Sequence, residues 1–486
     1  MVNPNLFSNF LIKKLPLLIL IISLLAHGYF SQLPIMFGDE IISIFVANSR
    51  SFSNLLSGSV EIIHPNLYYI LLKGILLIFN SIYVARFIHY FIFLLDVIVL
   101  YKIGRSFSLK KQEIILFLLP FSTSLYFFKF TYTLRMYSIA ILFLLFSIYF
   151  LLQYSQKQNC KYLFFSLLAD ILGIFSVYGY LLWLPIKIAI LIKGAAERKE
   201  AKINLWVLAS MSTFISSTFI IFKSYLANKS IFNVYLNWVK IPFFEDLGIS
   251  FISLNGGGLF TYFEDADSLS PGLKLIGTFF SIVLLLCIPI SIWRLKKIIT
   301  NTHIKLGLFF GITEFIFWLV LIELIGFFSL TSFFGLTFFH IRQLFVVALL
   351  FSMFFGVLLV KIRERISILI VVVLFCFSLA NIGQVPYSPY SRPFQKNIDW
   401  VLATPGDMEL AYYYCEADSF EEIIEKCPAH KIYFDFDELK NNMYDTSEFY
   451  VTDSNLAKLP LSEVRCEDSI DNINKCKLLI NIRFCF

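Results

Sequence analysis

Apolar runs close to the roughly 20 residues that a membrane helix needs recur along most of this chain. They predict eleven spans, at about 15–31, 84–101, 113–128, 136–153, 162–177, 179–193, 203–224, 273–293, 306–328, 342–360 and 366–384. The run Leu67–Phe79 is also apolar, but it is only 13 residues long and carries Lys73, which fits a helix lying in the membrane interface. The basic clusters decide between crossing and lying flat. If this run crossed, Lys102, Arg105, Lys110 and Lys111 would emerge on the outer side, followed by the clusters around Lys193, Arg294 and Lys361. If it lies in the interface, all of them fall on the cytoplasmic side, as the positive-inside rule requires. The pattern therefore predicts an all-α polytopic membrane protein with a cytoplasmic N-terminus.

Composition agrees. Of 486 residues, 58% are hydrophobic and 15% charged, against about 25% charged in a soluble domain. The net charge of +6 is unevenly divided: from Gln384 onward 10 basic residues face 18 acidic ones, leaving about −8 there and about +14 in the remainder. A basic membrane part suits cytoplasmic loops, and no nucleic-acid partner is implied. Lys13-Lys14 followed by Leu15–Ala26 has the start of a signal peptide, but no Ala-x-Ala site follows, so it reads as a retained first helix.

Two units follow: a membrane module over 1–384 and an extracytoplasmic C-terminal domain over 385–486. The module carries a first outer loop at 31–83 and a second at 225–272, which holds Trp238, Gly256-Gly257-Gly258 and the acidic Glu264-Asp265-Ala266-Asp267. In the tail, Met408–Tyr414 and Lys431–Phe436 alternate like strands and Phe420–Lys426 reads as a short helix, which together predict a small α/β appendage. Five of the eight cysteines lie there. On the outer side Cys415–Cys427 and Cys466–Cys476 suit local disulfides with Cys485 left over; the alternative is five free thiols.

Candidate chemistry collects on the outer face. Asp39-Glu40 follows the first span, where a carboxylate at the rim of an apolar cavity loses hydration and gains basicity; the plainer reading is a solvated loop pair. His64 precedes Pro65 at the start of the interfacial helix. Arg135 and Arg342 stand at outer helix ends, against the charge bias, where a guanidinium either binds phosphate bidentately or snorkels to headgroups. Asp96, Asp170, Glu314 and Glu323 fall inside predicted spans and so require a cavity or a partner. Interhelical hydrogen bonding is expected for Asp96 and Asp170, while Glu323 lies nearest the outer face.

Taken together, Gly38-Asp39-Glu40, His64-Pro65-Asn66-Leu67-Tyr68-Tyr69, Leu134-Arg135-Met136-Tyr137 and Arg342-Gln343 resemble, in order, the motifs of GT-C membrane glycosyltransferases, specifically the protein-O-mannosyltransferase and aminoarabinose-transferase superfamily. The likeness covers roughly the first 190 residues and the segment near 340. It departs at Asn66 (a second proline in bacterial members), Thr133 (often glutamate) and Tyr178 (often histidine). The resemblance implies a GT-C-like bundle with juxtamembrane helices in the first outer loop, in a bacterial inner (plasma) membrane. It implies inverting transfer of a sugar from a polyprenyl-phosphate-linked donor to a glycan, lipid or protein acceptor on the extracytoplasmic side. Asp39 and Glu40 would be the catalytic pair, with His64, Tyr68, Tyr132, Arg135, Tyr178, Glu323 and Arg342 binding substrate. The acidic and histidine groups do not form a clear ligand set for a divalent ion, so no metal is assigned. Two other classes are a transporter or flippase of lipid-linked sugars, which would predict an internal repeat and interrupted helix pairs, and an inactive relative acting as a partner.

Overall fold

Ionisable side chains lie inside this molecule and large apolar ones lie outside it. Arg86, His89, Asp96, Asp170 and Lys187 are buried, whereas Leu25 and Phe219 are 64% and 65% exposed and Leu18, Phe87, Phe164 and Phe175 also face outward. Water disfavours such a surface and a hydrocarbon solvent permits it. The structure, a computed structural model, describes residues 4–32, 40, 43–44, 46–47, 51–57, 65–79, 81–198, 201–227, 345–361 and 364–382, together with four short strands beyond them.

The described helices are α1 (Pro4–Ser31), α2 (Phe52–Ser57), α3 (Leu67–Phe79), α4 (Ile82–Ser106), α5 (Lys111–Ser122), α6 (Leu125–Tyr132) and α7 (Tyr137–Lys157). They continue with α8 (Lys161–Ser176), a 3₁₀ turn (Tyr178–Leu182), α9 (Trp183–Arg198), α10 (Ala201–Ala227), α11 (Phe345–Lys361) and α12 (Glu364–Ile382). Three are long and apolar enough to cross a membrane: Lys14–Ser31 of α1, α4 and α7. The 13 residues of α3 rise only about 20 Å, short of a hydrocarbon core of roughly 30 Å, so this helix forms where expected and is too short to cross. The expected spans at 273–293 and 306–328 lie outside the described residues.

The termini of α4 and α5 follow local chemistry. Ser81 accepts the Val84 N–H to open α4, and Glu113 accepts the Lys110 N–H, 2.7 Å, to open α5. α4 packs on α7, α7 on α8, and α11 on α5 and α7, giving one contiguous apolar core. Where α11 crosses α5 the backbones nearly touch. A Cβ built on Gly356 would stand 2.4 Å from the Phe117 carbonyl oxygen and 3.0 Å from its Cα. Backbone cannot swing aside as a side chain can, so Gly356→Ala is expected to destabilise the bundle by about 1–3 kcal/mol, read as a lower unfolding midpoint in micelles.

One expected span needs correction. The span at 113–128 is not one helix: it breaks at Thr123-Ser124, after Pro120. A break frees backbone carbonyls, which an apolar surrounding penalises. His27 of α1 answers this, with Nε2 3.0 Å from the Ser122 carbonyl and Nδ1 3.0 Å from the Thr131 hydroxyl, its ring stacked on Phe93 at 3.9 Å. Because a carbonyl only accepts, Nε2 carries the proton. The pair expected at 162–177 and 179–193 is present as two helices of 16 residues joined by the 3₁₀ turn, the second starting at Trp183 rather than at 179.

Asp170 on α8 is hydrogen-bonded between elements as expected. Oδ1 accepts from Ser147 of α7 (2.6 Å), Tyr180 (3.1 Å) and Trp183 (3.1 Å), and Oδ2 pairs with the Lys187 ammonium, which also donates to Ser166 (2.7 Å). Asp96 departs from that expectation: it is buried on α4, and its Oδ1 has no hydrogen-bond partner among the described residues. Beyond the helices, Ala411–Tyr412 pairs antiparallel with Ile432–Tyr433, and Phe449–Thr452 with Lys475–Leu478. The remainder of the expected appendage, including its short helix and all but one of its cysteines, lies outside the described residues.

Candidate functional site

The residue after Asp39 is the point on which four segments meet. Glu40 has helical backbone and a fully buried carboxylate, 0% exposed. Arg86, near the start of α4, grips it side-on: Nε donates to Oε1 at 3.1 Å and Nη2 to Oε2 at 2.8 Å. A third donor comes from the Leu134 N–H, 2.8 Å from Oε1. These three donors meet a carboxylate whose desolvation they offset.

The Leu134 N–H points there because α6 ends at Tyr132. Thr133 takes an extended conformation (φ −92°, ψ 135°), and its N–H and hydroxyl both donate back to the Lys129 carbonyl, at 3.2 and 2.8 Å. The chain then turns, with the Arg135 N–H donating to Thr133 at 2.9 Å, before α7 begins. Arg135, 8% exposed, directs Nη1 to the Ser43 hydroxyl at 3.1 Å. Ser43 lies three residues beyond Glu40 in sequence. Two guanidinium groups and one carboxylate thus meet at the Arg135 turn.

Tyr68 joins the cluster from α3. Its hydroxyl lies 3.5 Å from His89 Nε2 of α4, and Ser138 Oγ of α7 lies 2.9 Å from His89 Nδ1. Burial pushes the Tyr68 phenol well above its ordinary value; the Arg135 charge pulls it down and the Glu40 charge adds to the rise, so the three groups sit within electrostatic reach. Tyr68 remains a neutral hydroxyl at any working pH.

Of the residues singled out from sequence, Glu40, Tyr68 and Arg135 are brought together although 28 and 95 positions separate them from Glu40. Glu40 itself requires a correction. It was expected at the rim of an apolar cavity as one of the catalytic pair, and its carboxylate is fully buried in an ion pair with Arg86. Tyr178 is half-buried in the 3₁₀ turn, which packs against α8, α9, α10 and α11. Only the backbone of Tyr132 is described; Asp39, His64, Glu323 and Arg342 lie outside the described residues, as does Glu314. Sequence reading missed Arg86 and His89. The signal was present: two ionisable residues three apart, on one face, in the first turns of a predicted span.

The described chain is a helical bundle with an inside-out surface and three helices able to cross a membrane, which places it among helical membrane proteins. Comparison with protein-family models and with curated proteins returned no match.

Proposed function

We propose that this chain is a GT-C-type membrane glycosyltransferase that moves a sugar, with inversion, from a polyprenyl-phosphate-linked donor to an acceptor hydroxyl on the extracytoplasmic side. One observation carries the reading: Glu40, Tyr68 and Arg135, each from a different motif of the resemblance, converge on one buried cluster. In this mechanism Asp39 takes the proton of the acceptor hydroxyl as its oxygen attacks the anomeric carbon. The bond from that carbon to the phosphate oxygen breaks, and the polyprenyl phosphate leaves with the electron pair. Arg135, joined by Arg342 and His64, holds the charge that develops on the departing phosphate. Glu40 does not touch the acceptor. It ties its neighbour in sequence, Asp39, to α4 and to the Arg135 turn, so that base and phosphate clamp share one anchor. Tyr132, Tyr178 and Glu323 complete the substrate surface in this proposal.

The test uses membranes carrying the full chain and a radiolabelled polyprenyl-phosphate sugar. Wild type is expected to release label from the lipid, and Asp39→Asn to do so at least about a hundredfold more slowly, because a general base contributes on that order. Lipid moved across the membrane without cleavage would identify a transporter, and equal release from both proteins would remove Asp39 from the reaction.

A further inference from the structure

The far end of the bundle carries a second arrangement, independent of the chemistry at Glu40. From Arg86 to Arg105 along α4 is 19 residues, and from Ser138, which contacts His89, to Lys157 along α7 is again 19. At 1.5 Å per residue each interval is about 29 Å, close to the hydrocarbon thickness of a bilayer. Groups at the ends of both helices therefore fall one hydrocarbon layer away from the Glu40 cluster, at the opposite headgroup level.

Six cations are exposed there: Lys102, Arg105, Lys110, Lys111, Lys157 and Lys161. Gln153 and Gln156 clamp the two helix ends together, donating to the Ser106 hydroxyl (3.1 Å) and carbonyl (2.7 Å), so the cations form one patch. Within it the Lys157 and Lys161 ammonium groups stand 5.3 and 5.2 Å from the centre of the same ring, Tyr162, and Lys157 donates to the Tyr162 hydroxyl at 3.2 Å. Residues 102–113 and 153–162 contain a single carboxylate, Glu113, and it accepts a backbone N–H. Among the described residues none of the six cations is in a salt bridge.

We propose that this patch is a binding site for anionic phospholipid headgroups, centred on Lys157, Tyr162 and Lys161. Charge complementarity and depth both point to that occupant. The phosphates of an anionic leaflet lie at this level, they supply the negative charge the patch lacks, and an aromatic ring within reach of two ammonium groups is an interface-seeking platform for one headgroup. The site requires no catalytic activity and would hold if the transferase reading failed.

The experiment titrates the purified full chain in micelles with phosphatidylglycerol and, separately, with phosphatidylcholine of the same acyl chains, and counts retained lipids by native mass spectrometry. Wild type is expected to retain phosphatidylglycerol several-fold over phosphatidylcholine. Lys157→Gln/Lys161→Gln, exposed changes that leave the core intact, is expected to weaken that retention about tenfold or more, and added salt to weaken it in wild type. Equal retention of the two lipids, or unchanged retention by the double variant, would overturn the proposal. Displacement of the lipid by millimolar inorganic phosphate would also overturn it, in favour of a soluble anion.

Discussion

Replacing Arg86 by methionine is expected to destabilise the bundle by about 3–5 kcal/mol, because it strands the Glu40 carboxylate in the interior. Glu40→Leu should cost a similar amount for the mirrored reason: it leaves the Arg86 guanidinium buried and the Leu134 N–H without its acceptor. The double variant Glu40→Leu/Arg86→Met should be more stable than either single one, since both charges are gone. It should still fall below wild type by about 1–3 kcal/mol, the cost of the orphaned Leu134 N–H. Unfolding midpoints in micelles for the four proteins form the measurement. Additive single costs would mean that the ion pair is not what holds these elements. The double variant also separates stability from function. Its fold is expected to recover while the Arg135 turn loses the anchor that ties it to Glu40 and the segment around it. Release of label from the proposed donor should therefore stay low where stability does not.

How far the chain could be read without coordinates follows from the range of each interaction. Helix α3 was legible to the residue, because the 13-residue run between Asn66 and Asn80, apolar but for Lys73 and Gly74, carries its own boundaries. The break between α5 and α6 was not. Pro120 and the hydroxyl residues Ser122-Thr123-Ser124 interrupt the pattern for only a few positions, so the apolar runs on either side read as one span, and what makes a break tolerable is His27, 95 residues before Ser122. The same holds at the candidate site. Arg135 was visible through its motif, but Arg86 belongs to no motif and is defined only by the carboxylate it meets, 46 positions away. The burial of Glu40 was not legible, because an acidic residue in a polar gap gives no local sign of burial and the Arg86 that makes it possible lies in another segment. Asp96 and Asp170 show the limit most plainly. Both are single carboxylates in apolar runs, and one collects four donors while the Oδ1 of the other meets none among the described residues.

That contrast makes Asp170 the second large effect. One carboxylate receives a hydroxyl from α7, a phenol and an indole N–H from the turn and its end, and an ammonium from α9, all in the interior. Against α8 the turn is also close-packed: a Cβ on Gly173 would lie 2.1 Å from the Tyr180 ring. Asp170→Leu removes every acceptor at once and leaves the Lys187 ammonium with Ser166, so a loss of about 3–5 kcal/mol is expected. Asp170→Asn keeps an oxygen for Tyr180, Trp183 and Ser147 while removing the charge opposite Lys187, so it should fall between Asp170→Leu and wild type. Asp170→Leu/Lys187→Met should regain much of the loss, leaving the Tyr180 hydroxyl without its acceptor. Hydrogen exchange adds a local readout: in Asp170→Leu, amides of the turn Tyr178–Leu182 should lose protection before those of α4, because the donors that turn contributes are the ones set loose. If protection fell equally in α4 and the turn, Asp170 would be holding the whole bundle, and the clamp on the 3₁₀ turn would have no separate existence.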